Sequence, residues 1–317
     1  MLRGNDAMRI AHISDLHILA LEGAIPFRLL NKRATGYANL KLHRKHRHKS
    51  ELVRAIAAHL SKGGIDHVVI TGDVSNLALE TEFAAVRSIL DDVLGLPPDA
   101  VSIVPGNHDV YTRGAARDQR FARYFEPYLA SDLPQHRVLH AGGMFPVVKL
   151  RGPAAFIGLS TALPRLPFVA AGRLGEAQLD KLELILASPE VRARTPVILL
   201  HHPLHNPPTW MKARLEGLDD ANRLSRVLGG LQRGLLLHGH LHRRLHRTLL
   251  TSTGHVDVIG ATSASLVHES PERMAGFNLY ELGSDGMITA LDSYRYNEAE
   301  RTFATTALPR SIEAAAH

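Results

Sequence analysis

The chain of 317 residues contains no cysteine. Disulfides and thiolate metal ligands are both excluded, so any metal site must use His, Asp, Glu or Asn. No apolar run approaches the roughly 20 residues that a membrane-spanning helix needs. The first eight residues, MLRGNDAM, lack the apolar stretch of a secretory signal, and a β-rich run follows at once. The reading is a cytoplasmic protein, with Met8 as an alternative start. No internal repeat and no long linker is found, which favours a single domain over residues 1–317.

The apolar share of 45% and charged share of 21% describe an ordinary globular chain. A net charge of +6 and a pI of about 9.7 suit anionic partners: phosphate esters, nucleic acid or an acidic membrane surface. Charge alone does not choose among them. The 20 histidines are more informative, because imidazole suits metals and proton transfer near neutral pH.

Short, continuously apolar β-rich runs occur at Arg9–Ile13, His67–Ile70, Val101–Val104, Val147–Leu150, Ala155–Leu159, Val197–Leu200, Leu235–Leu237 and Val256–Ile259. Such runs suit strands buried on both faces. Helical periodicity lies between them, in Phe83/Val86/Leu90/Val93, in Leu179/Leu182/Leu186 and in Leu224/Val227/Leu228/Leu231. The alternation predicts an α/β fold. From Val256 to about Tyr294 strands follow one another with little helix, as in an antiparallel addition to a sheet. The tail after about Thr306 carries little pattern and is expected to be loosely held.

Five segments that end β-rich runs carry the chemistry. They read Asp15-Leu-His17, Gly72-Asp73-Val-Ser-Asn76, Gly106-Asn107-His108-Asp109, His201-His202-Pro203 and His238-Gly239-His240-Leu-His242. Loops at the carboxyl ends of strands in an open α/β sheet converge on one crevice. Asp15 and His17 are two apart, so a strand would turn both to one side; His240 and His242 share that spacing. A carboxylate such as Asp73 has two oxygens and can bridge two cations. Oxygen and imidazole donors without thiolate suit Mn, Fe or Zn. Two such cations would neutralise a phosphoester and bring a bound water toward a pKa of about 7. His108 could protonate the leaving oxygen or stabilise developing charge. Asp109 could orient His108 or a ligand. Each segment alone is weak evidence; the ordered set is not.

These residues resemble the calcineurin-like metallophosphoesterase superfamily, whose pattern is D-x-H, G-D-x-x-[DN], G-N-H-[DE], H, then G-H-x-H. The resemblance implies a four-layer αββα sandwich, with two central mixed β-sheets flanked by helices. It implies one metal on Asp15, His17, Asp73 and His242, and a second on Asp73, Asn107, His201 and His240. It makes His108 the catalytic histidine, with Asp109 beside it. His201 is preferred to His202 because the family's ligand directly ends the strand. His202 and Asn76 then support the ligands from behind or face the substrate. Manganese is the first expectation for the two divalent ions, with iron and zinc as alternatives. The full G-N-H-D is similar to the bacterial class III phosphodiesterase branch.

A basic, partly apolar insertion occupies about residues 22–50. It carries Arg28, Lys32, Arg33, Lys41, Arg44, Lys45, Arg47 and Lys49, and no acidic residue between 24 and 50. Such a segment can grip an anionic substrate or lie on an anionic membrane at its cytoplasmic face; a solvated lead into the next helix is the plain alternative. His43, His46 and His48 could also bind metal adventitiously. The segment is similar to that of UDP-2,3-diacylglucosamine pyrophosphatases of the LpxG type. That resemblance implies a lipid-linked nucleotide substrate, with Phe168, Val169, Trp210 and Met211 able to cover acyl chains. A cyclic-nucleotide or broad-specificity phosphodiesterase is the alternative. A non-catalytic phosphate-binding scaffold would need a broken motif, and a nuclease would need a groove-reading module; neither feature is found.

Overall fold

The computed structural model describes residues 7–20, 48–166 and 169–312. The basic positions Arg28, Lys32, Arg33, Lys41, Arg44, Lys45 and Arg47 lie outside the described residues, as does Phe168. The strands are β1 (Met8–Ile13), β2 (His67–Ile70), β3 (Val101–Ile103), β4 (Val138–His140), β5 (Gly143–Phe145), β6 (Val147–Arg151), β7 (Ala154–Gly158), β8 (Thr195–Leu199), β9 (Leu235–His238), β10 (Leu245–Leu250), β11 (His255–Gly260), β12 (Gly276–Leu282), β13 (Ile288–Asn297), β14 (Thr302–Thr306) and β15 (Arg310–Ile312). The longer helices are α1 (Ser50–Lys62), α2 (Glu80–Ser88), α3 (Glu176–Ala187), α4 (Trp210–Glu216) and α5 (Ala221–Leu228).

Two mixed sheets result. One has the order β14-β13-β12-β1-β2-β3, the other β15-β10-β11-β9-β8-β7-β6. In the first, β1, β2 and β3 are parallel, and β12, β13 and β14 extend the sheet antiparallel, as the last third of the sequence predicts. The parallel strands bury continuous apolar runs because both faces are covered.

Alternation along each strand shows what covers them. Val197, Leu199, Leu235, Leu237 and Phe156 share one core with Ile10 and Val69 of the facing sheet. Ile198, Leu200, Leu236 and Ile157 point the other way, onto Leu179, Leu182 and Ile185 of α3 and Leu224 and Leu228 of α5. On the outer side of the first sheet lie Val53, Ile56 and Leu60 of α1 with Phe83 and Val86 of α2. The layers therefore run helix, sheet, sheet, helix.

Two expectations change. The chain beyond Thr306 is not loose as far as residue 312: Arg310–Ile312 pairs in parallel with β10, because that edge strand offers an open ladder. Asp15 and His17 are not carried by strand geometry. β1 ends at Ile13, and both residues take left-handed backbone angles, with φ of 51° and 45°.

Candidate metal centre

The parallel strands β1, β2, β3, β8 and β9 deliver five loops to one end of the sandwich. Backbone bonds lock the loops together. Asp15 N donates to Gly72 O, His17 N to Asp73 O and Gly239 N to His201 O. Close approach explains two glycines. A Cβ at Gly106 would collide with Asp73, and one at Gly239 with Ser14 and Asp15.

His17 Nε2 and His242 Nε2 face each other at 3.0 Å. Asp15 Oδ1 lies 3.1 Å from His242 Nε2 and 3.8 Å from His17 Nε2. Asp15 Oδ2 accepts from His240 N, whereas the buried Oδ1 has no donor. A few ångströms away, His201 Nε2 sits 3.3 Å from Asp73 Oδ2 and 3.3 Å from His240 Nδ1. Asp73 Oδ2 is also 3.9 Å from His17 Nε2, so one carboxylate addresses both groups. Asn107 Oδ1 is buried and has no donor.

Hydrogen bonds at the far ring nitrogens define the tautomers. His201 Nδ1 donates to Thr71 O at 2.7 Å, which turns the Nε2 lone pair inward. His240 Nε2 donates to Glu216 O at 2.9 Å, which turns the Nδ1 lone pair inward. With both rings neutral, two lone pairs and a carboxylate oxygen confront one another, although burial of His201 is outweighed by Asp73, which pushes its imidazole up to about 9. The neutral arrangement is repulsive without a cation and favourable around one. The orphaned oxygens of Asp15 and Asn107 fit the same requirement.

Burial opposes charge on Asp73, but the imidazoles of His201, His108 and His17 outweigh it and hold its carboxyl well below the usual range. Asp15 is likewise lowered, with His242 outweighing burial. Burial and neighbouring His201 push His240 down to about 3, in keeping with a bare, ligating nitrogen.

A model of the calcineurin-like phosphoesterases matches residues 8–244. The chain belongs to that family. It is a metal-dependent phosphoester hydrolase, and the family implies two divalent ions per chain. Among solved structures, this phosphoesterase is similar to a dimetal phosphatase from Danio rerio, at 16% identity and a TM-score of 0.50, covering 87% of this chain and 93% of the other. It is also similar to the purple acid phosphatase PPD1 from yellow lupin seeds, at 12% identity and a TM-score of 0.57. That match covers 98% of this chain and 54% of the other, so the phosphoesterase spans about half the lupin enzyme's length. These likenesses support the fold. Among curated proteins none matches the sequence.

His108 stands at the edge of the cluster, its ring centroid 5.1 Å from that of His17. Its Nδ1 donates to Asn76 O at 2.7 Å, and its backbone N donates to Asp73 Oδ1 at 2.8 Å. Asn76 Nδ2 donates to His17 O, so Asn76 sets two site residues at once.

Asp109 departs from the catalytic expectation. Its carboxylate does not touch His108. It accepts from Gly106 N, Val74 N, Ser75 N and Ser75 Oγ, and so pins the Asp73 loop to the Asn107 turn. His202 is not substrate-facing either. It is fully buried, donates through Nε2 to Ala170 O and accepts at Nδ1 from Thr161 Oγ1.

Sequence reasoning missed a buried chain behind the site. Arg244 Nε donates to Ser293 Oγ, Ser293 Oγ to Asn278 Oδ1, and Asn278 Nδ2 to Tyr280 OH. Tyr280 OH then donates to His12 Nδ1, and His12 Nε2 to Thr71 Oγ1. The chain runs from the His242 loop to the residue whose carbonyl holds His201. No motif marks its members.

Proposed function

We propose that this phosphoesterase cleaves phosphodiester or pyrophosphate bonds, with one divalent ion held by Asp15, His17, Asp73 and His242 and a second by Asp73, Asn107, His201 and His240. The close-set ring nitrogens and carboxylate oxygens of these side chains, with the orphaned oxygens of Asp15 and Asn107, are the observation that carries the reading. Manganese is the first choice of ion, with iron and zinc as alternatives suited to the same donors. When bound, two such ions neutralise the phosphoryl group and activate water. The chain's own residues do the rest. Asn76 orients His108, which as the imidazolium would donate from Nε2 to an oxygen of the scissile bond. Asp109 and Thr71 hold the ligand loops in register.

The finer reading is a substrate with an apolar part, such as the lipid-linked nucleotide UDP-2,3-diacylglucosamine. Its support is the rim beside His240. The loop before Arg173 and helix α4 are joined by Ala170 N to Leu215 O and Gly172 N to Gly217 O, and His240 binds Glu216 O in the same segment. On these segments Leu166, Trp210, Met211 and Leu215 are 72%, 74%, 58% and 38% exposed. Exposed apolar side chains near a site suit acyl chains better than water.

The test is to strip the metal with a chelator and restore Mn, Zn, Fe or Mg separately. Each form is assayed on bis-p-nitrophenyl phosphate, p-nitrophenyl phosphate, cyclic AMP and UDP-2,3-diacylglucosamine. Turnover of the lipid-linked nucleotide above the others supports the finer reading, and preference for cyclic AMP replaces it with the cyclic-nucleotide one. Two bound metals without turnover of any diester or pyrophosphate would sink the hydrolase.

A further inference from the structure

A cavity of about 360 Å³ opens at the end of the sandwich away from the metal centre. Strand direction places it there. Arg233 stands just before β9, and His255 opens β11, which runs parallel to β9. The segment that carries His240 leaves β9 at its other end. A rise of roughly 3.3 Å per residue puts the length of β9 between the two sites. On the facing sheet, Ile288 pairs with Leu282 and Leu282 with Met8, at the start of the strand whose far end leads to Asp15. β14 pairs with β13 only from Ser293 onward, so the lining stretch of β13, from Ile288 to Leu291, keeps one open edge. Arg310 enters from β15, the edge strand of the other sheet. The cavity therefore joins both sheets at a seam.

Its lining is apolar on one sheet and charged on the other. Met287, Ile288, Ala290 and Leu291 supply the apolar part. Arg233 is fixed in place by neutral groups alone: Nε donates to Thr195 Oγ1 at 3.0 Å, Nη2 to Asp285 O at 3.0 Å and Nη1 to Met287 Sδ at 3.3 Å. Those bonds use three of its five N–H groups and leave its charge uncompensated. Among the described residues, neither Arg233 nor Arg310 has a carboxylate within ion-pair distance. Asp257 is the one carboxylate in the lining, and it is engaged, with Oδ1 2.6 Å from His246 Nε2 and Oδ2 3.6 Å from His255 Nε2. Two guanidiniums against one carboxylate leave the lining net positive. A concave site of this volume, mostly apolar with a few fixed polar groups, has the form of a small-molecule pocket.

We propose that this cavity is a second ligand site, taking a small organic anion whose negative end is met by Arg233 and Arg310 and whose apolar body lies along β13. The inference does not rest on the substrate proposed above.

The probes are octanoate, 1-octanol and octylammonium, which share an apolar chain and differ in charge. Each is titrated by saturation-transfer NMR into the whole chain loaded with zinc, which is diamagnetic, as wild type, Arg310→Ala and Ala290→Phe. Turnover of bis-p-nitrophenyl phosphate is followed in parallel. Octanoate is expected to bind more tightly than the other two and to leave turnover unchanged. Arg310→Ala is expected to bind octanoate roughly 3- to 10-fold more weakly, the range of one hydrogen bond to a charged group at an exposed position. Ala290→Phe, which fills the cavity, is expected to abolish binding, and both variants should turn over as the wild type does. If Ala290→Phe does not fold, Arg310→Ala decides. Octanoate affinity unchanged in Arg310→Ala overturns the proposal, as does the absence of octanoate binding to the wild type. Octylammonium bound as tightly as octanoate overturns the anion preference. Octanoate that competes with the phosphodiester and binds both variants like the wild type lies at the metal centre, and the cavity is then no ligand site.

Discussion

His17 Nε2 and His242 Nε2 face each other 3.0 Å apart beside the donor-less Asp15 Oδ1. A cation among these nitrogens and the carboxylate would be held by all of them, so metal binding should stabilise the fold. An ion present at about 1,000 times its dissociation constant adds about 4 kcal/mol. Removing metal should therefore lower Tm by on the order of 10 °C, reversibly, as followed by calorimetry. Asp73→Ala should lose most of that metal-dependent shift, because Asp73 addresses both groups. A shift in Asp73→Ala equal to the wild type's would rule out its bridging role.

His108 Nδ1 donates to Asn76 O and its backbone N to Asp73 Oδ1, and its ring stands outside the ligand set proposed here. His108→Ala should keep both metals and its Tm, yet lose roughly 10²–10⁴ in kcat, the usual range for a positioned acid. Parallel metal analysis and kinetics check this. The loss should shrink with p-nitrophenyl leaving groups, which need less protonation than an alkoxide. A uniform loss across leaving groups would instead make His108 a stabiliser of charge on phosphorus.

Much of the centre is legible in the sequence because each ligand segment follows a short apolar strand, and a parallel sheet must deliver such segments to one edge. The backbone that presents them is not legible. Asp15, His17, Asp73, His240 and His242 all take left-handed angles, between 45° and 67° in φ. Histidine there costs energy, and no residue type announces it. Asp109 is legible only in part. Of the two roles its position suggests, orienting His108 or a ligand, the turn at Gly106 favours the second, because it rotates the carboxylate back onto the Val74 and Ser75 amides beside Asp73. The chain from Arg244 through Tyr280 to His12 is invisible because its members come from four strands and loops and pair only once the sheets pack.

Asp109 yields a prediction that separates holding from catalysis. Asp109→Ala leaves Gly106 N, Val74 N, Ser75 N and Ser75 Oγ without an acceptor in a fully buried site. Each unmet donor costs about 1–3 kcal/mol, so the variant should be unstable and poorly metallated. Asp109→Asn keeps one oxygen acceptor and should be milder. Its turnover per metal-loaded site should stay within a few-fold of wild type. If Asp109→Asn instead retains full metal and stability but loses turnover as His108→Ala does, the residue acts in the chemistry.

Glu82 gives the fold a pH dependence of its own. It sits in the first turn of α2, where its Oε2 accepts from Leu77 N and Leu79 N while Oε1 has no donor. Burial outweighs the backbone donors and pushes its carboxyl up from 4.5 to about 8. The folded state therefore binds this proton more tightly than the unfolded chain does. Its stability contribution is full below about 4.5 and declines as pH rises toward 8. Glu82→Gln keeps an oxygen for the two amides and removes the titration. Relative to wild type it should gain Tm steadily between those pH values, by a few degrees at the upper end. Scans at pH 5, 6.5 and 8 on metal-free protein isolate the effect from metal binding. A difference between the two proteins that stays constant with pH would show that Glu82 is already ionised in the fold, held so by the two amides.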